Sequence, residues 1–179
     1  AAIARHAGEC ARILVVDDNA SNRDVLARRL VREGHEISTA VDGAGALDLV
    51  AREDFDLILL DLIMPEIGGF EVLCRLKSDE RTRAIPVIVI SALDELDSVV
   101  RCIEAGADDY LSKPFDPVLL RTRINSSLEK KWLRDREKKF IADLEHEKRK
   151  SETLLLNILP RSIVKRMHDG EFAIADRIA

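Results

Sequence analysis

The sequence predicts a doubly wound α/β fold: five βα units, an open parallel sheet, and a long helix after the last strand. Three observations point to it. Short apolar runs recur without polar alternation, ILVV at 13–16, LILL at 57–60 and VIVI at 87–90. Runs of this kind suit strands buried on both faces of a parallel sheet. Helical patterns lie between them, so strand and helix alternate over about 120 residues. Each run also ends in or near polar residues of matching chemistry. Asp17 and Asp18 follow the first, Asp61 the second and Ser91 the third, while DYLS at 109–112 leads to Lys113 and Pro114.

The elements follow in order. Ser21 is expected to cap the first helix, with Asp24 three residues on and Leu26 and Leu30 forming an i,i+4 apolar face. Gly34 stops that helix. Residues 36–40 make a short second strand. Residues 43–52 form a second helix with Ala46, Leu47 and Val50 inward. Gly68 and Gly69 open a third helix that reaches about Lys77. The fourth runs from Asp94 to Ala105, closed by Gly106, and the fifth starts near Asp116, with Pro117 suited to a first helical position. No Gly or Pro follows until Pro160, so the fifth helix has no stop signal before it. Fifteen of the 22 residues at 129–150 are charged. A helix this polar is a solvated rod or a coiled coil. A 4-3 register passes through Leu133, Glu137, Phe140, Leu144, Glu147, Ser151, Leu154 and Ile158. Its apolar members, Leu133, Phe140, Leu144, Leu154 and Ile158, form the expected dimer seam. A single solvated helix remains the alternative.

Bulk properties narrow the class. With 179 residues and 46% hydrophobic side chains, the chain can bury one ordinary core and carry an appendage. No apolar stretch approaches the roughly 18 residues of a membrane helix, and the opening AAIARHAGEC has no apolar run to serve as a signal peptide. A cytoplasmic location is expected. Cys10, Cys74 and Cys102 are widely spaced, which fits reduced thiols rather than a disulfide frame or a zinc site. The net charge of −5 conceals an asymmetry: residues 1–126 hold 15 basic and 23 acidic side chains, residues 127–179 hold 13 and 10. Acidic and basic residues interleave along the second part, which disfavours a nucleic-acid surface.

Ligands of such sheets bind outside the carboxyl ends of the strands. The pattern therefore gathers three carboxylates (Asp17, Asp18, Asp61), the Ser91 hydroxyl and the Lys113 ammonium at one edge. That set can hold a divalent cation and handle a phosphoryl group. Taken singly, each residue has a plainer reading. Asp18, Asn19 or Ser21 can cap a helix, Asp61 can be a turn residue, Lys113 a surface lysine and Tyr110 a packing residue.

Together the pieces LVVDDN, LLDLIMPEIGG, VIVISA and DDYLSKPF, in this order, resemble a bacterial response-regulator receiver domain of the CheY-like type, from about Ala11 to Leu128. The resemblance implies a flavodoxin-like sheet of order 2-1-3-4-5. It implies that Asp61 accepts phosphate, and that Mg²⁺ is held by Asp17, Asp18, Asp61 and the backbone carbonyl of Ile63. Ser91 and Lys113 would contact the phosphate, Tyr110 would act in the switch, and Pro114 would follow a cis peptide bond. The implied partner is a sensor histidine kinase or a phosphotransfer protein.

The tail from Ser151 to Ala179, with LLLNILP at 154–160, is similar to the segment that precedes class III adenylate/guanylate cyclase domains. The expected organisation is then a disordered segment at 1–10, a receiver at 11–128, a coiled-coil signalling helix at 129–160 and a linker at 161–179 to an output domain. Self-phosphorylation at Asp61 is the sole chemistry expected of these residues, with cyclase activity belonging to the full-length protein. Three rivals stand beside this reading: the receiver of a DNA-binding regulator, a stand-alone adaptor, and a phosphatase of the HAD type, which lacks its DxD spacing at Asp61.

Overall fold

The computed structural model describes residues 10–92 and 96–158. Of the expected N-terminal segment only Cys10 falls among them. Leu93, the start of the fourth helix at Asp94, Leu159, Pro160 and the linker at 161–179 lie outside the described residues, as does the side chain of Ile158.

The chain alternates strand and helix throughout: β1 Arg12–Val16, α1 Ala20–Arg32, β2 Glu36–Ala40, α2 Gly43–Arg52, β3 Leu57–Asp61, α3 Gly69–Ser78, β4 Val87–Ala92, α4 Leu96–Glu104, β5 Asp109–Lys113 and α5 Pro117–Ile158. All strand pairs are parallel, in the order β2-β1-β3-β4-β5. Period-two alternation sends each central strand's side chains to both faces. Leu14, Val16, Ile58, Leu60, Val87 and Val89 pack with Val50 of α2, Val72 and Leu73 of α3 and Cys102 of α4. Ile13, Val15, Leu57, Leu59, Ile88 and Ile90 pack with Leu26 and Leu30 of α1 and with Leu120, Ile124 and Leu128 of α5. Both faces of the sheet are covered, which is why the central runs are apolar throughout.

One expectation is corrected. The cap of α1 is Asn19, not Ser21: Asn19 Oδ1 accepts from the N–H of Ser21 at 2.9 Å and of Asn22 at 3.3 Å. The physical reason lies one step upstream. Asp17 Oδ1 accepts from Asn19 N–H at 2.8 Å, and this tight turn starts the helix at Ala20. The far end of α1 closes as expected, with Gly34 at φ +92° in the left-handed region.

Two compact units divide the chain, Ala1–Arg134 and Asp135–Ala179. The first contains the sheet and its helices. The second, where described, is helix, with Phe140, Ile141, Leu144 and Leu154 exposed and with ion pairs such as Arg149–Glu145 at 3.5 Å along its surface. Among the described residues no helix is long and apolar enough to cross a membrane.

Two predictions follow from the packing. A Cβ on Gly69 would overlap the backbone carbonyl of Asp61 and stand 2.8 Å from Leu62 Cα. Both obstacles are backbone, so the start of α3 must move away from the end of β3. Gly69→Ala should lose about 1–3 kcal/mol, read as a lowered urea midpoint at constant m-value.

His35 provides the second. Its Nδ1 accepts from Ala11 N–H at 3.3 Å, and burial pushes its pKa below the usual 6.5, against the raising effect of Glu33 and Asp56. The fold thus prefers the neutral ring. Stability from this site is complete above pH 6.5 and is lost as pH falls through the lowered folded-state pKa. Between roughly pH 7 and pH 5, the midpoint of His35→Gln should fall less than that of wild type.

Candidate functional site

Parallel register decides which side chains meet. Val16 of β1 stands opposite Leu60 of β3, so Asp17 and Asp61, the next residues, come level at the carboxyl ends of neighbouring strands. Asp61 pairs with Ile90, which puts Ser91 one residue beyond it on β4. Ala92 pairs with Lys113, which brings the lysine to the same edge from β5.

Asp17 is 1% exposed, Asp61 5% and Ser91 1%, whereas Asp18 is exposed. Carboxylate oxygens of Asp17, Asp18 and Asp61 all lie within 4.8 Å of one another. Lys113 Nζ bridges the two buried ones, at 2.8 Å from Asp17 Oδ2 and 2.7 Å from Asp61 Oδ2. The peptide bond that follows Lys113, to Pro114, is cis.

Burial pushes the Asp61 pKa up, Lys113 opposes it, and the charge of Asp17 adds to the rise; the net shift is upward. Desolvation pulls the Lys113 pKa down, but the Asp17 and Asp61 carboxylates overcome it and the net shift is again upward. The ammonium is therefore held in its charged form.

Residues that the sequence patterns did not single out also shape the site. Asn22 Nδ2 donates to both Asp17 oxygens, at 3.3 and 3.1 Å. Arg23 Nη1 donates to the Asp17 carbonyl at 2.6 Å. A signal for both existed: they sit in the first turn of a helix that begins at Ala20, close behind Asp17. Ile63 donates its N–H to Asp61 Oδ1 at 3.4 Å, and its side chain is 58% exposed. Tyr110 does not join the cluster. It lies on β5 opposite Val89 and is 40% exposed. Of the seam, Leu133, Phe140, Leu144 and Leu154 are exposed along α5.

The donor set suits a small hard cation. Three carboxylates at one strand edge offer only oxygen ligands, one of them already open to solvent. A single ammonium does not balance three negative charges, which is a further reason for a divalent ion to fit here.

Comparison with known proteins gives a consistent result. Residues 13–125 match the response regulator receiver domain. Response regulator PleD of Caulobacter vibrioides is 48% identical over 116 residues, covering 65% of this chain and 26% of that protein. The DNA-binding dual master transcriptional regulator RpaA of Synechocystis is 39% identical over 117 residues, covering 65% and 48%. The chain thus matches between about a quarter and a half of the length of these curated relatives. Among solved structures, the receiver domain of the Francisella response regulator 1452 superposes with a TM-score of 0.62 at 31% identity, over 67% of this chain and 98% of that one. The receiver domain of sensor histidine kinase PA1611 from Pseudomonas aeruginosa, solved with a magnesium ion coordinated in its active-site cleft, gives a TM-score of 0.62 at 28% identity, over 66% and 98%. On the match over residues 13–125, the chain belongs to the response regulator receiver family.

Proposed function

We propose that this protein is a phosphorylation-controlled receiver that takes its phosphoryl group on Asp61 and passes the signal through α5. One observation carries the reading: a buried Asp61 whose carboxylate is held at 2.7 Å by Lys113 and grouped with Asp17 and Asp18 at the open edge of the sheet. In the transfer, a carboxylate oxygen of Asp61 forms a new bond to phosphorus. The bond from phosphorus to the donor breaks, and the donor leaves with the electron pair. Asp17, Asp18, Asp61 and the backbone carbonyl of Ile63 would hold Mg²⁺, which offsets the charge that builds up on the phosphoryl oxygens. Lys113 moves from a carboxylate–carboxylate bridge to pairing with the phosphate as a compact point charge. Ser91 supplies a hydroxyl to one phosphate oxygen, and Tyr110, now outward, takes the space that Ser91 leaves. Asn22 and Arg23 keep Asp17 oriented throughout. The donor is a phosphohistidine on a sensor kinase or phosphotransfer protein.

The proposed boundaries are a receiver at 11–128, a signalling helix at 129–160 and a linker at 161–179. The helix is proposed to pair with a second copy in parallel through Leu133, Phe140, Leu144, Leu154 and Ile158. The output is proposed to be an adenylate/guanylate cyclase domain, on the resemblance of residues 151–179. A DNA-binding output is the second reading, favoured by the likeness to RpaA.

Incubation with acetyl phosphate and Mg²⁺ should add one phosphoryl group to the intact mass. Asp61→Asn should abolish the addition, and Asp17→Ala with Asp18→Ala should remove Mg²⁺ binding in calorimetry. Labelling of the Asp61→Asn protein at the wild-type level would move the acceptor elsewhere.

Sedimentation equilibrium should find a dimer whose dissociation constant rises more than about tenfold in Leu144→Glu, the cost expected for placing a charge in an apolar seam. Glu137→Leu with Glu147→Leu should tighten it. A monomer in all three proteins would end the signalling-helix part of the proposal.

A further inference from the structure

The edge of the sheet that faces away from the carboxylate cluster carries a second group of charged residues, and all of them converge on one stretch of α5. Asp56 stands just before β3. It accepts Arg12 N–H at 2.9 Å and pairs with Lys131 at 3.2 Å, both side chains being largely buried. Asp108 stands just before β5. Its Oδ2 accepts Val87 N–H at 3.0 Å and Lys77 Nζ at 3.1 Å, and its Oδ1 faces Arg134 at 3.8 Å. Between the two cations on the helix, Trp132 is partly buried against the core cluster that α1 and α5 form with one face of the sheet.

These contacts form a clasp, and the clasp is built to open. The Trp132 Nε1–H is buried and has no acceptor among the described residues. A buried donor without a partner favours any state in which water reaches it. The Arg134–Asp108 contact is long, and the Arg134 side chain is half exposed, so it resists opening little. Lys131–Asp56 is the firmer half.

The clasp and the cluster share the same strands. β3 ends in Asp61 and is preceded by Asp56; β5 ends in Lys113 and is preceded by Asp108. Each is a strut of five residues, about 17 Å long. Lys113 bridges Asp17 and Asp61, so a phosphoryl group on Asp61 would compete for it and act on β5, whose last residue it is. We infer that Lys131, Trp132 and Arg134 form a latch that fixes the root of α5 to the base of the receiver, and that phosphorylation at the opposite edge releases it. Lys131 and Arg134 are positioning residues and take no part in the chemistry. The inference rests on Asp61 as the phosphate acceptor.

Trp132 is the chain's single tryptophan, so its fluorescence reads the latch directly. Acrylamide quenching of residues 1–179 should rise roughly twofold or more on treatment with acetyl phosphate and Mg²⁺, the response of a partly buried indole whose open state becomes dominant. The rise should be absent in Asp61→Asn. The variant Lys131→Met with Arg134→Gln retains the long aliphatic stems and removes both charges. It should show raised quenching before any phosphodonor is added, and should gain phosphate at the wild-type rate. Intact mass is followed in the same samples. Added mass on Asp61 with unchanged quenching overturns the latch, as does a double variant that quenches like wild type. No added mass defeats the assignment of Asp61 itself, a failure distinct from either.

Discussion

The double ion pair of Lys113 with Asp17 and Asp61 is the constraint on which the rest of this structure depends. Two carboxylates within 4.8 Å repel each other by about 3–4 kcal/mol at an effective dielectric near 20. Both are held by hydrogen bonds, Asp17 by Asn22 Nδ2 and Asp61 by the Ile63 N–H. A cation must therefore come to them. β5 delivers it only because its register with β4 brings Lys113 level with Ala92, just past Ser91. The parallel order of the sheet, the apolar runs that precede Asp17, Asp61 and Ser91 and the cap at Asn19 all serve to hold these charges together. A charge cluster only partly offset by one ammonium is also responsive: a new anion at Asp61 would change what Lys113 pairs with.

Much of this arrangement was legible in the sequence, and the reason is local. The apolar runs at 13–16, 57–60 and 87–90 fix strands by composition alone, and the residue after each run must emerge at the carboxyl end. Asp17, Asp61 and Ser91 could thus be placed without coordinates. The α1 cap was misplaced because Ser21 has the better local signature, while the turn that selects Asn19 depends on the Asp17 side chain folding back. Tyr110, expected in the switch or as a packing residue, stands half-exposed on the edge strand β5, where a single aromatic gives no local signal of its orientation. Lys131 and Arg134 were hidden for a stronger reason. In the sequence they belong to a run of charges with every mark of a solvated face. Their partners, Asp56 and Asp108, are distant along the chain and become neighbours only when α5 lies across the base of the sheet.

The helix α5 changes character along its length. Leu120, Ile124 and Leu128 are buried, and from Leu133 onward the described residues are exposed. Receiver packing stabilises the first part at roughly 1.5–3 kcal/mol per buried apolar side chain. In the part from Asp135 to Leu154 the side chains are exposed. Its ion pairs, Lys148–Glu152 at 3.9 Å, Arg149–Glu145 at 3.5 Å and Lys150–Glu147 at 3.4 Å, are exposed and contribute a few tenths of a kcal/mol each at most.

The exposed apolar side chains of this part are what motivate the proposed pairing with a second copy. Phe140, Leu144 and Leu154 recur at coiled-coil spacing and leave their apolar surface in water. Burying them against an identical stripe would outweigh all the surface ion pairs together. Glu147 and Ser151 interrupt the stripe, and paired glutamates across a parallel seam subtract from the gain. In the proposed pairing these terms oppose each other, and a small difference between them is what a signal could reverse. A receiver that alters the root of the helix by one latch needs to supply no more free energy than the seam leaves uncommitted.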